Sequence, residues 1–266
     1  MTSKIRVVVH GALGKMGKEV LNAVCVDPET EPVGAVDQQP VKKEISLPDD
    51  SKTIPITSDV DSLLQTHHPD VMVDFTVAEA SMSAIRVAAQ HKVNLVIGTT
   101  GFTEDNLFEI EELARVYDIG VVIASNFAMG AIVMTHLAKV ASRFFDWAEI
   151  IEMHHEGKVD APSGTAITTA KAMAEAHGKP FDYRTAERES VVGTRGGQIK
   201  GVAVHSMRMP GLLAHQEIVM GMAGQTLTIR HDTINRQCYM PGVLLAIKEV
   251  IHLKGLTRGL DSLLHL

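Results

Sequence analysis

Between Lys4 and Ala124 the chain repeats one pattern, a short apolar run followed by a segment of helical periodicity. The runs Lys4–His10, Pro32–Val36, Val71–Phe75, Asn94–Ile97 and Gly120–Ala124 are nearly continuous in apolar residues instead of alternating with polar ones. Strands covered on both faces have this composition, and an alternating run would suit a half-exposed strand. Between them, Lys15–Val26, Val60–Thr66, Ala78–His91 and Glu104–Tyr117 place apolar residues at helical spacing. Strand–helix alternation at these intervals predicts βαβ units, hence an α/β domain with a doubly wound, Rossmann-type parallel sheet.

After Ala124 the texture changes. An apolar helix is predicted over Gly130–Phe144, then a strand over Trp147–Met153, a polar segment rich in Gly and His, and an Ala-rich helix ending near His177. The strand-like runs Gly201–Met207, Ala214–Met220 and Thr226–Asp232 follow with no convincing helix between them, so they read as an antiparallel or mixed sheet. From Pro241 to about Leu253 the pattern is helical again and suits a return to the first domain. The expected anatomy is one domain from residues 1–127 plus about 236–266, carrying an inserted α+β domain of about 128–235.

Composition removes several classes. Lys and Arg number 25 against 32 Asp and Glu, a net charge of −7, with 45% hydrophobic residues. That make-up excludes a disordered chain, and the acidic balance argues against a nucleic-acid binder, which needs excess cations to neutralise phosphates. Cys25 and Cys238, the only cysteines, support neither a disulfide framework nor a thiolate zinc site. The N-terminal run is broken at His10 and Gly11, too early for a secretory signal, and the apolar stretch near 119–134 is interrupted by Ser125, Asn126 and Gly130. A soluble cytoplasmic protein with no membrane or nucleic-acid partner is expected.

His10-Gly11-Ala12-Leu13-Gly14-Lys15-Met16-Gly17 directly follows the first strand and opens the first helix. Glycines there let the backbone turn tightly and approach a pyrophosphate, whose charge then meets the helix N-terminal amides. The spacing is GxxGxxG, a departure from the usual GxGxxG. Asp37 lies at the end of the second strand, placed to accept from a ribose 2′-hydroxyl. A dinucleotide site is therefore expected. Two further loops fall at strand carboxyl ends, Gly98-Thr99-Thr100-Gly101 and Ala124-Ser125-Asn126-Phe127, where small residues and hydroxyls suit a nicotinamide ribose and carboxamide.

In the second half, strand alternation puts Glu152 and His154 on one face and starts His155 on the other. Lys158 follows in a loop, and Asp160-Ala161-Pro162-Ser163-Gly164-Thr165 has the form of a helix start whose exposed amides at Ser163, Gly164 and Thr165 suit an anion. A cation, two imidazoles and a helix N-terminus suit a carboxylate-bearing substrate and a proton donor for it. The plainer alternatives are a solvated lysine and surface histidines. No metal is expected, because His154 and His155 lie on opposite strand faces and HExxH is absent. Nor is there a GxSxG elbow or a Tyr-x-x-x-Lys pair.

The run from Glu149 to Ala166, EIIEMHHEGKVDAPSGTA, resembles the signature of the dihydrodipicolinate reductase family, also called 4-hydroxy-tetrahydrodipicolinate reductase. The opening VHGALGKMG, Val73-Asp-Phe-Thr76, Gly98-Thr-Thr-Gly101, Ser125-Asn-Phe127 and His205-Ser-Met-Arg-Met-Pro-Gly211 fall in the family's order, so the resemblance spans essentially the whole chain. It implies NADH- or NADPH-dependent reduction of a cyclic imine dicarboxylate on the diaminopimelate route to lysine. By the same resemblance His154 is the proton donor/acceptor and Lys158 a second proton donor, while His155, Gly164 and Thr165 hold substrate carboxylate. Gly11 to Met16, Asp37, Gly98 to Thr100 and Ala124 to Phe127 match its cofactor contacts. A homotetramer built through the substrate domain's sheet is implied too, with a mobile hinge between domains.

Members preferring the phosphorylated cofactor often carry Arg after the acidic residue, whereas Gln38 follows Asp37 here. A carboxylate repels a 2′-phosphate and Gln38 brings no compensating charge, although Lys42 and Lys43 lie close in sequence. Other classes stay open from sequence: a dinucleotide sensor without catalysis, a metal-dependent hydrolase using the His pair, or a reductase of another imine or semialdehyde.

Overall fold

The apolar runs of the first half form strands flanked by helices in the computed structural model, which describes residues 3–40, 42–47 and 52–266. In chain order come β1 (Ile5–His10), α1 (Lys15–Val26), β2 (Thr30–Val36), β3 (Glu44–Ser46), β4 (Thr53–Thr57) and α2 (Val60–His67). Then follow β5 (Val71–Asp74), α3 (Ala78–Gln90), β6 (Asn94–Ile97), α4 (Glu104–Tyr117) and β7 (Gly120–Ile123). The next stretch holds α5 (Met129–Ser142), β8 (Trp147–His154), α6 (Gly164–His177), β9 (Gly197–Ile199), β10 (Val202–Arg208), β11 (Ala214–Met222) and β12 (Gln225–Thr233). The chain ends through a 3-10 turn at Arg236–Tyr239, α7 (Met240–Val250) and β13 (Gly255–Arg258). Two units result, Met1–Ala128 with Arg236–Leu266, and Met129–Asn235.

In the first unit the strand order is β13-β7-β6-β5-β1-β2-β4-β3, and every neighbouring pair is parallel except β3 with β4. From β1 the chain builds outward to β2 and β4, then returns to the other side through β5, β6 and β7. The order thus reverses between β1 and β5, the kind of switch point at whose carboxyl-end crevice open α/β sheets bind ligands. Helix α3 buries Met82, Ile85 and Ala89 at helical spacing in a core that also contains Met72, Leu95 and Ile97. On α1 and α7, which pack together, the buried positions include Val20, Val24, Val243 and Ile247.

Strands β3, β4 and β13 escape the sequence pattern. The first spans only three residues, β4 carries Pro55 in its middle, and β13 opens on Gly255, so none shows a sustained apolar run.

The second unit's sheet has the order β12-β11-β8-β10-β9. It is mixed: β10 runs parallel to β8 after the α6 crossover, and β11 runs antiparallel to β8. Successive strands β10 and β11 therefore flank β8 without pairing with each other. One face of β8 buries Ala148, Ile150 and Glu152, and Ile150 packs with Met134 of α5 and Ala170 and Met173 of α6. The opposite face leaves Trp147, Glu149 and Ile151 accessible.

A fully buried carboxylate ties the first sheet together where its loops begin. Asp74, the last residue of β5, has no exposed surface. Its Oδ2 lies 2.7 Å from Nδ1 of His10 at the end of β1, and its Oδ1 accepts from the Thr99 hydroxyl at 2.5 Å and the Thr76 hydroxyl at 2.9 Å. The Thr76 amide donates to the same Oδ1 at 3.1 Å. Burial pushes the Asp74 pKa up, but the hydrogen bond and charge interaction with His10 and the bonds from Thr99 and Thr76 outweigh it, so the net shift is downward. A carboxylate lowered in the folded state contributes stability above its unfolded pKa and loses it as pH falls through the folded value. Asp74→Asn should cost about 1–3 kcal/mol at neutral pH, the worth of hydrogen bonds to a charged group. The gap to wild type should narrow once pH drops below about 4, near the unfolded carboxylate pKa. Denaturant midpoints at neutral and acid pH measure this, and a gap independent of pH contradicts it.

Candidate active site

The glycine loop after β1 is pressed between its neighbours. Gly11 has φ +82°, and a Cβ on it would lie 2.7 Å from the Phe75 carbonyl oxygen. A Cβ on Gly17 would lie 2.1 Å from the Gly11 carbonyl oxygen, so α1 packs onto the loop more closely than any side chain permits. Gly14 is the N-cap of α1 and brings no side-chain oxygen to the first turn, where Lys15 and Met16 lie. First-turn amides without a protein cap attract an anion. At the end of β2, Asp37 accepts the Leu13 amide on Oδ2 and the Gln38 amide on Oδ1, both at 2.9 Å. Each oxygen keeps a lone pair for a ribose hydroxyl. The amides of Gly11 and Ala12 donate to the Val36 carbonyl. This cradle, closed to a Cβ at Gly11 and Gly17 and without a side-chain cap at its helix, fits a dinucleotide.

The other two loops contribute less through their side chains than the sequence suggests. Thr99 is buried, its hydroxyl donating to Asp74 and accepting from the Thr76 amide at 2.7 Å, so it is not offered to a nicotinamide. Phe127 is buried against Phe75, with ring centroids 5.7 Å apart. Ala124 is buried too, and its amide donates to the Ile97 carbonyl. Gly98 gives its amide to the Asp74 carbonyl and abuts the Phe75 ring, leaving no space for a Cβ. Thr100 and Ser125 are exposed, and Asn126 accepts the Ala128 amide through Oδ1 at 2.8 Å.

In the second unit a buried ionic cluster stands at the end of β8. Glu152 has no exposed surface. Its Oε2 lies 2.5 Å from Nδ1 of His154, and Arg208 forks onto it, one terminal nitrogen 2.9 Å from Oε2 and the other 2.8 Å from Oε1. Oε1 also accepts the Ser163 amide at 3.1 Å. Burial alone would raise the Glu152 pKa, but bonds from Arg208, Ser206 and His154 lower it overall. His154 is lowered, chiefly because burial disfavours its charged form; Glu152 pulls it upward, and the charges of Lys158 and Arg208 push it further down.

Lys158 donates to Oδ1 of Asp160 at 2.7 Å, and its amide donates to the His155 carbonyl, so the loop curls back on itself. His155 is exposed. Ser163 caps α6, its hydroxyl oxygen accepting the Ala166 amide at 3.2 Å. This corrects one expectation: the Ser163 amide is not free for an anion, because Glu152 occupies it. Gly164 is exposed and Thr165 half-buried at the same helix start.

Sequence reasoning missed Arg208, Asp74 and His10 as parts of these sites. Arg208 reaches Glu152 because β10 pairs in parallel with β8 and sets it opposite His154. Among the described residues no three His, Cys, Asp or Glu side chains are grouped to hold a metal ion, and no helix is long and apolar enough to cross a membrane.

The chain as a whole is similar to proteins of one known family. Residues 5–127 match the family model described as dihydrodipicolinate reductase, N-terminus, and residues 130–264 that of the C-terminus. A 4-hydroxy-tetrahydrodipicolinate reductase of Dehalococcoides mccartyi is 58% identical over 98% of this chain and 99% of its own length. One from Moorella thermoacetica is 46% identical over 99% of each. Among solved structures, the dipicolinate-bound dihydrodipicolinate reductase of Paenisporosarcina sp. TG-14 superimposes with a TM-score of 0.87 at 39% identity, covering 97% of this chain and 99% of that one. The chain belongs to the dihydrodipicolinate reductase family.

Proposed function

We propose that the cluster at the end of β8 is the proton-handling centre of an oxidoreductase that converts 4-hydroxy-tetrahydrodipicolinate, or its dehydrated form dihydrodipicolinate, to tetrahydrodipicolinate. The observation that carries this reading is an imidazole, His154, tied to a buried carboxylate and followed by the ammonium of Lys158 and the start of α6. The cradle of Gly11 to Met16, with Asp37, holds the cofactor. Gly98, Thr99 and Thr100 join it, with Ala124 to Phe127; Thr99, Ala124 and Phe127 do so through main chain. NADH or NADPH, when bound, supplies the hydride.

The substrate is a dicarboxylate, and the Paenisporosarcina relative with bound dipicolinate is a precedent for that ligand class. His155, Lys158 and the amides of Gly164 and Thr165 hold its carboxylates, since a cation and free helix-start amides favour anions. The Ser163 hydroxyl keeps its proton to donate while its oxygen caps α6. Reduction of the conjugated imine leaves electron density on a ring carbon, which must accept a proton. His154 delivers it, with Lys158 as the second donor. The reaction places the protein in the cytoplasmic diaminopimelate route to lysine. The accessible face of the second sheet, with Trp147 and Met207 exposed, suits assembly into a homotetramer.

Replacing His154 by Gln should lower kcat by about 10²–10⁴-fold, the usual worth of general acid catalysis. Substrate KM should move far less; a large KM rise with kcat intact assigns His154 to binding alone. With Gln38 beside Asp37, NADH should serve at least as well as NADPH. A kcat/KM ratio favouring NADPH by more than about tenfold, roughly 1.4 kcal/mol, contradicts this, and initial rates at 340 nm with each cofactor decide it.

A further inference from the structure

Glu152 touches none of His155, Lys158 and the Gly164 and Thr165 amides assigned to substrate carboxylate, yet its side chain joins three elements. It meets His154 of β8, takes both terminal nitrogens of Arg208 from β10, and accepts the amide of Ser163 where α6 begins. Arg208 is fixed in turn, donating to the carbonyl of Asp160 at 2.6 Å and to that of Met207 at 2.6 Å. The carboxylate therefore has little freedom to turn. An ionised carboxylate only accepts hydrogen bonds, so the nitrogen of His154 facing it must carry a hydrogen.

We propose that Glu152 is a positioning residue that fixes His154 in the tautomer with hydrogen on Nδ1 and leaves Nε2 as the nitrogen that hands the proton to substrate. The assignment rests on the reading that His154 is the proton donor. The imidazolium gives up its Nε2 proton and becomes neutral, with Nδ1–H still on Glu152. No second proton has to move, and the ring does not turn. The charged groups facing this pair are Arg208 from β10 and Lys158 and Asp160 from the loop after β8. Strand β11 sets neutral Gln216 opposite Glu152, and α6 contributes only the Ser163 amide. Arg208 and Lys158 both disfavour an imidazolium, leaving Glu152 as the one of these groups that hydrogen-bonds to it and favours it.

The test compares wild type, Glu152→Gln, His154→Gln and the double variant across pH. Glu152→Gln keeps the shape but replaces an acceptor with a group that also donates, and it removes the charge that favours the imidazolium. The expected result is a fall in kcat of about 10²-fold or more with substrate KM within about threefold. The limb of kcat/KM that reports the imidazolium should move to lower pH by about one unit or more. The double variant should be no slower than His154→Gln alone, because residues acting as a unit are not additive. Nitrogen NMR of His154 in the wild-type protein gives a readout independent of any variant: the neutral ring must be protonated on Nδ1. A ring protonated on Nε2, or a Glu152→Gln enzyme with wild-type kcat and an unmoved pH limb, overturns the proposal and leaves His154 as donor. A His154→Gln enzyme with kcat intact removes the underlying reading and the proposal with it.

Discussion

An ionised carboxylate shut away from water is tolerated only when its oxygens meet partners, because its desolvation is worth several kcal/mol. Among the described residues two such groups stand out, Asp74 and Glu152, each without exposed surface and each at or near the carboxyl end of a strand. Neither finds enough partners on its own strand. Asp74 recruits His10 from β1 and Thr99 from the loop after β6, and Glu152 recruits Arg208 from β10 and Ser163 from the start of α6. Meeting the need of each buried charge therefore fixes several loops at once. Those loops are the ones that carry the proposed cofactor and substrate sites.

Much of this was legible in the order of residues. The parallel sheet follows from apolar runs such as Val7-Val8-Val9 and Val71-Met72-Val73, which leave no polar face. The glycine loop, Asp37 and the His154–Lys158 segment are local in sequence, and so is the alternation that sets Glu152 and His154 on one strand face. What the pattern hid is contact between distant residues. Arg208 lies far along the chain from Glu152 and meets it only because β10 returns parallel to β8. Thr99 looked like a ligand contact because its hydroxyl stands at a strand end, yet the hydroxyl turns inward to a buried acid. Ser163 is similar: a cap and a free amide look alike until the acceptor for that amide is located.

The charges are arranged against the average. A chain with net charge −7 has no general attraction for a dianion, and exposed charges beyond about 10 Å are largely screened at ordinary salt. Attraction must come from the site itself. Lys158 and Arg208 supply fixed positive charge there, and their charges add to burial, the main cause, in holding the His154 pKa below its ordinary value. An arriving dianion reverses that balance, since negative charge beside the ring favours its protonated form. On the proposed assignment of His154 as proton donor, substrate binding and loading of that donor reinforce each other.

The glycine N-cap of α1 has a consequence for how the fold responds to its surroundings. Many helices begin on a side chain that satisfies the leading amides, whereas Gly14 brings none to α1, and on the proposed cofactor assignment that duty passes to the nucleotide's anion over Gly11–Met16. The occupant then acts as a missing piece of the helix. On the same assignment, its binding stabilises the folded chain by mass action, by RT ln(1 + [L]/Kd), which ties the resilience of this domain to the nucleotide concentration around it.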